Sequence, residues 1–346
     1  MKDSYDAFLL VSFGGPEGMD DVMPFLQNVL RGRNVPVERM REVAHHYEIF
    51  GGISPINQQN GDLIACLKEE FAQHKIEMPI YWGNRNWHPM LEDTVRQMAN
   101  DGVKRALAFV TSAYNSYSGC RQYLEDIERA RLAVGDSAPA IDKLRSFHNH
   151  PGFVEPTIDN VKAALDRFPQ SVRDRIPVAF TAHSVPVAMA QTCLYEKQLR
   201  DACSLVMDRI GPNPWQLVYQ SRSGPPSQPW LEPDICVHLR TVKEAGDSSD
   251  VVVMPIGFIS DHMEVKFDLD TEAQQVAQEL GLTLVRASTV GTDQKFISMI
   301  RQLVEERTSD GQRLSLGCLA TAPDACAPDC CAYSPTMLRP PAAADR

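Results

Sequence analysis

The chain has 346 residues, with 45 Asp and Glu against 34 Lys and Arg, for a formal net charge of −11. That length allows two domains, each burying its own core. The acidic balance, with no basic block interleaved with aromatics, argues against nucleic acid as a partner and against more than peripheral contact with an anionic membrane.

The longest apolar runs, 7–13 and 251–258, fall far short of the roughly 20 residues that span a bilayer. The opening Met-Lys-Asp-Ser-Tyr-Asp shows no export pattern, so a cytoplasmic protein is expected. Nine cysteines are present, and four of them crowd into 318–331, which suggests metal or cluster ligation. The scattered Cys66, Cys120, Cys193, Cys203 and Cys236 read first as small buried hydrophobes.

In chain order, the short apolar runs 7–13, 79–82, 106–111, 178–182, 217–219, 251–256 and 282–285 are bounded by Gly, Pro or polar residues and are predicted as buried strands. Between them, 62–73, 91–100, 157–167 and 197–208 carry helical spacing. Strand followed by helix, repeated, implies parallel sheets covered on both faces, with functional loops at the carboxyl ends of the strands. The stretch around 139–151 is a plausible crossover between lobes. The expected division is a first lobe over 1–145, a second over 146–290, a C-terminal helix over 291–312 returning to the first lobe, and a cysteine-rich tail over 313–346.

The first strand runs into Ser12-Phe13-Gly14-Gly15-Pro16-Glu17-Gly18. The glycine spacing is wrong for a dinucleotide fingerprint, and a tight turn is the simpler reading. The strand at 178–182 delivers His183 at its carboxyl end, where an imidazole can take a proton near neutral pH or bind a divalent cation. A lone histidine is more often structural. After the strand at 251–256, Glu264, Asp268 and Glu272 recur every four residues and form one helix stripe. Taken alone the stripe suits a solvated acidic face. Because it starts at a strand's carboxyl end, as His183 does, it also describes an oxygen-lined path for a cation into a crevice.

Two further segments offer ligand-binding chemistry. Arg31-Gly32-Arg33 and the run from His46 and Tyr47 to Asn57 combine carboxylate-docking cations with an apolar plate. The loop 112–123 places Tyr114, Tyr117 and Tyr123 among several hydroxyls. Taken alone, the first is more often a surface loop than a pocket, and the second has a plain reading as a tyrosine-containing loop and helix start.

At this point the residues resemble a known family. Leu10-Val11-Ser12-Phe13-Gly14-Gly15-Pro16, Arg31-Gly32-Arg33, Gly51-Gly52-Ile53-Ser54-Pro55, Thr181-Ala182-His183-Ser184-Val185-Pro186, Tyr219-Gln220-Ser221-Arg222-Ser223-Gly224-Pro225 and the run from Pro255 to Glu264 together resemble the ferrochelatases, in order, over about 5–305. The resemblance implies an α/β fold of two Rossmann-like chelatase lobes, each a parallel sheet flanked by helices, with a porphyrin between them and iron(II) as the inserted substrate. It places the metal-site pair on His183 and Glu264, with Asp268 and Glu272 continuing outward as a relay. Porphyrin contacts carry over to Ser54 and Tyr123, and also to Arg31, His46 and Tyr47, with Phe13 and Tyr117 as cleft walls that press the ring.

The tail is similar to the C-terminal extension of some ferrochelatases, which carries a [2Fe–2S] cluster held by three tail cysteines and one from the body. The usual body position aligns with Pro156, and the resemblance, in which the segment some ten residues past the histidine runs near the cluster, implies Cys193, Cys318, Cys326 and Cys331 as ligands, with a four-thiolate zinc site as the rival. Glu17-Gly18, Gly83 to Trp87 and Cys120 to Tyr123 look like actinobacterial members, which implies coproporphyrin III rather than protoporphyrin IX as substrate. A monomer is expected, with possible handover to a downstream heme-pathway enzyme. A porphyrin carrier and a cobalt chelatase are the alternatives from other classes.

Overall fold

The computed structural model describes residues 4–31, 35–309 and 311–333. Gly32 and Arg33, and the tail beyond Tyr333, lie outside the described residues. The described residues form two four-stranded parallel sheets. The first contains β1 (Ala7–Ser12), β2 (Ile80–Asn84), β3 (Arg105–Val110) and β4 (Ala140–Lys143), in the order β2-β1-β3-β4. The second contains β5 (Val178–His183), β6 (Trp215–Gln220), β7 (Asp250–Met254) and β8 (Thr283–Arg286), in the order β6-β5-β7-β8. Strand order therefore reverses at β1 and at β5, and an open α/β sheet presents its ligand crevice at such a switch point.

The central strands are buried end to end, which is why they read as continuous β-branched and aromatic runs rather than alternating ones. The strand β4 escaped the sequence reading, which placed a crossover there. Its four residues Ala-Ile-Asp-Lys are exposed or half-buried at a sheet edge, so they lack the apolar run that marks the others.

One apolar core runs from the first sheet into the second. Phe8, Leu10, Phe109 and Phe147 join Phe153, Phe180, Met254 and Phe296 in a single buried cluster. The helix Gln294–Thr308 packs on the helices Ile56–Gln73 and Pro151–Leu165. Buried ion pairs help to fix it. Arg145 forms a bidentate bond with Glu306, at 2.7 and 2.8 Å, both side chains being 1% exposed, and Arg301 meets Glu70 at 2.8 Å. Direct hydrogen bonds tie the lobes further, from Tyr114 Oη to the Ile256 carbonyl at 3.0 Å and from the Asn115 amide to Gln198 Oε1 at 2.7 Å.

Candidate functional site

The centre of the site is His183, the last residue of β5, and Glu264, in the first turn of the helix Met263–Phe267. His183 Nε2 lies 3.6 Å from Glu264 Oε1, and both side chains are partly open, at 34% and 42%. His183 Nδ1 donates to the Ser184 carbonyl, which can only accept. That bond orients the ring and leaves Nε2 facing Glu264. Beneath it, Tyr195 Oη donates to the His183 carbonyl at 2.9 Å. At Gly257 a side chain would come within 2.7 Å of the Ala182 backbone, so glycine there lets the loop after β7 close over the end of β5.

The carboxylate stripe does not follow an ordinary α-helix. Met263–Phe267 passes into a π-turn at Asp268–Ala273 before the α-helix resumes at Gln274–Leu280. The wider turn interrupts the four-residue stacking that the sequence implied. Asp268 is half-buried and accepts from Gln220 Nε2 at 3.2 Å and from the Ser221 hydroxyl. Burial, reinforced by the charges of Glu264 and Glu272 and opposed by the Ser221 bond, pushes its carboxyl up to about 7. Glu272, further out, is exposed, and partial desolvation with the nearby Asp234 raises its carboxyl as well.

Sequence reasoning left Gln220, Ser221 and His262 without roles. Gln220 pairs in register with His183, so it stands at the same level of the sheet, and its amide also reaches the Glu264 carbonyl at 3.1 Å. Ser221 holds a left-handed φ of +61°, a conformation that costs a non-glycine residue about 1–3 kcal/mol and concentrates at functional sites. His262 caps the helix, its Nδ1 accepting from the Glu264 amide at 3.2 Å. Burial lowers its pKa, against the pull of Glu264, so it stays a neutral cap. The strand-end position of the Gln-Ser pair was the signal that could have found them.

The first lobe faces this centre with aromatic and small residues. Phe13 and Tyr47 both pack edge-on against Phe25, at 6.2 and 5.9 Å between ring centroids. Burial raises the Tyr47 phenol, and the Glu264 charge raises it further, which sets Tyr47 near the catalytic candidate. His46 stacks on Phe267 at 3.7 Å with rings 10° from parallel, bringing the lips of the two lobes together. Ser54 is buried, and a side chain at Gly15 would come within 2.6 Å of its Cβ.

The other expected contacts each have local partners. Tyr123 is buried in the core between the first sheet and its helices, with the Arg85 guanidinium 4.4 Å over its ring. Tyr117 donates to Glu125 at 3.0 Å and packs beside Tyr333. Arg31 is exposed and holds Asn28 at 2.7 Å.

Of the four expected cluster ligands, Cys331 is buried, Cys193 and Cys326 are half-buried, and Cys318 is exposed. Among the described residues no three His, Cys, Asp or Glu side chains are grouped closely enough, as placed, to hold a metal ion. The described helices include none long and apolar enough to cross a membrane.

Similarity to known proteins agrees with this layout. The iron-bound chelatase SirB of Bacillus subtilis is 11% identical and superposes with a TM-score of 0.52, over 87% of this chain and 96% of its own, which shows the shared fold. A ferrochelatase of Rhodopirellula baltica is 56% identical over 99% of this chain and 97% of its own length. A relative named coproporphyrin III ferrochelatase, from Streptomyces coelicolor, is 50% identical over 98% and 96%. Another so named, from Nocardia farcinica, is 50% identical over 99% of each. The ferrochelatase family model matches residues 5–308, and with it and these relatives the chain belongs to the ferrochelatase family.

Proposed function

We propose that this enzyme inserts iron(II) into coproporphyrin III to give coproheme III, with His183 and Glu264 at the reacting centre. The observation that carries the proposal is the pairing of His183 Nε2 with Glu264 Oε1 at 3.6 Å, where β5 ends at the switch point of the second sheet. Metallation removes two pyrrole protons while hydrated iron(II) loses water. It therefore needs a base beside a hard oxygen ligand, and imidazole with carboxylate supplies both.

His183 Nε2 accepts a pyrrole proton, and Glu264 partners it on the same side of the ring. A carboxyl near pH 7 both accepts and releases protons, so Asp268, held by Gln220 and Ser221, passes protons on to exposed Glu272 and solvent. Phe13, Tyr47 and Ser54 line the first-lobe wall, with Tyr117 beyond them. Coproporphyrin III is favoured over protoporphyrin IX because several relatives near half identity are named for it. We place the enzyme in the cytoplasm as a monomer that passes its product to a later step of heme synthesis.

The second part of the proposal is a [2Fe–2S] cluster on the tail. What supports it is the crowding of thiols in the tail, whose segment around Cys326, Cys330 and Cys331 is anchored on the body by Arg121, which donates to the carbonyls of Pro328 and Cys330 at 2.5 and 3.1 Å. Cys193 lies close enough to feel the charge of Cys330. Cys193, Cys318, Cys326 and Cys331 would hold such a cluster, whose chemistry would be one-electron exchange.

Anaerobic turnover with iron(II) on each porphyrin tests the substrate. Faster metallation of coproporphyrin III than of protoporphyrin IX is expected. The reverse order overturns the choice of porphyrin, and no metallation of either leaves only a porphyrin carrier.

A further inference from the structure

We propose that Arg286 is a positioning residue for metallation: its guanidinium clasps Asp261 and Asp270 together and so holds in shape the segment between them, which carries Glu264 and Asp268. The proposal rests on the reading of His183 and Glu264 as the reacting centre.

Arg286 is the last residue of β8 and pairs in register with Val253 of β7, the strand whose following loop leads to Glu264. Its side chain is 15% exposed. Nη1 and Nη2 donate to the two carboxylate oxygens of Asp261, each at 3.2 Å. Nε and Nη2 donate to the two oxygens of Asp270, the second of these bonds at 3.1 Å, and Nη1 also donates to the Ala287 carbonyl at 3.1 Å. A guanidinium has five N–H donors in a rigid plane, and these bonds use all of them. None is left for a substrate, so Arg286 acts through the residues it holds.

The two carboxylates stand at the ends of the functional segment. Asp261 comes three residues before Glu264, and Asp270 two residues after Asp268, inside the π-turn Asp268–Ala273. A π-turn is rare and an α-helix is the default, so tertiary contacts must keep the turn wide. The bond to Arg286 ties the middle of the turn to β8, while Gln220 and Ser221 tie Asp268 to the end of β6. At the front of the segment, the Asp261 carbonyl accepts from Gln59 Nε2 of the first lobe at 3.2 Å, so the clasped end is also fastened to the facing lobe.

A solvent-exposed ion pair contributes little, and Lys266, 39% exposed and 3.7 Å from Asp270, makes such a pair. The Arg286 network is less exposed and bidentate on each carboxylate, which makes it directional. Without the guanidinium the two carboxylates repel, the ends of the segment part, and Glu264 and Asp268 leave the places that His183, Gln220 and Ser221 require.

The test uses the full chain in anaerobic metallation with iron(II) of coproporphyrin III or protoporphyrin IX, whichever the wild type metallates faster. Porphyrin Kd is read by fluorescence quenching and folding by circular dichroism. Asp270→Asn and Arg286→Gln should each lower kcat by about 10- to 100-fold, the usual effect of removing a partner that orients a reacting group, with KM and Kd for porphyrin nearly kept. The double variant should fall no further than the weaker single, because both changes remove one contact. Asp270→Glu keeps a carboxylate on an exposed part of the turn and should recover most of kcat. Arg286→Lys should not, since a point charge lacks the fork that bonds both carboxylates at once, and Lys266→Gln should turn over as wild type does. Unchanged kcat in Asp270→Asn overturns the proposal. So do full activity in Arg286→Lys, no recovery in Asp270→Glu, an equal loss in Lys266→Gln, or a loss that appears in KM alone. The Asp270 variants decide the matter even if Arg286→Gln fails to fold. Turnover that survives Glu264→Gln overturns instead the reading of the reacting pair on which the proposal rests.

Discussion

The two lobes share one strand order and one crevice position, yet they fill it with opposite chemistry. The first lobe ends β1 in Phe13 and glycines and surrounds them with Phe25, Tyr47 and Trp87. The second ends β5 in His183, and its loop after β7 leads to Glu264, Asp268 and Glu272. A planar, largely apolar ligand with acid groups needs a wall on one side and proton and cation handling on the other. The same topology supplies both because function is set by loops at strand ends rather than by the sheet.

The largest break in this comparison comes from the second lobe. Glu264→Gln keeps the shape of the cleft but removes the charge, and metallation should fall by about 10²- to 10⁴-fold. Porphyrin affinity, read by fluorescence quenching, should change little. His183→Ala should fall as far, and the double variant hardly further, since residues that act as a unit are not additive. Turnover that survives either change would reduce the pair to an ordinary surface contact.

The next effect is on the frame that holds the lobes together. Glu306→Ala leaves the Arg145 guanidinium buried and unpaired, which should cost about 3–5 kcal/mol in urea unfolding. Because the pair ties the C-terminal helix to the end of the first sheet, a loss below 1 kcal/mol would mean that the helix is held by its apolar face alone.

Asp268 gives a smaller, pH-dependent effect. Its carboxyl ionises near 4 when unfolded and near 7 when folded, so between those values the folded state binds the extra proton. Stability therefore falls as pH rises from about 4 to about 7 and is flat beyond. Asp268→Asn should remove that slope and leave the variant more stable than wild type at pH 8. Its metallation rate should drop while losing the ionisation near pH 7. An unchanged slope would place the buried proton elsewhere.

Much of this was legible in the residues. The strands at 7–13 and 178–182 could be read because burial on both faces forces continuous apolar runs, and His183 with Glu264 could be read because each follows such a run. The strand β4 could not, since an exposed sheet edge imposes no apolar pattern. The π-turn at Asp268 was equally hidden, because four-residue spacing fits an α-helix and only the folded backbone shows where the helix widens. Tyr123 reads in the sequence as a porphyrin contact, and a tyrosine early in a helix faces whichever side the packing selects. Here Arg85 covers it.

The smallest expected effect probes the contact where the lobes touch. His46 and Phe267 stack face to face, one on the lip of each lobe, and burial keeps the imidazole neutral, with Arg39 adding to the shift. A neutral ring on an aromatic face contributes about 0.5–1.5 kcal/mol, so His46→Ala should cost that much in unfolding. Phe267 immediately precedes Asp268, so the loss should also loosen the carboxylate, and the KM for porphyrin should rise severalfold with kcat nearly kept. His46→Phe restores the stack without a titratable group. If it recovers KM, the contact acts by packing; if it does not, His46 touches the substrate through its nitrogen, and the first lobe joins in the polar chemistry that the rest of the geometry assigns to the second.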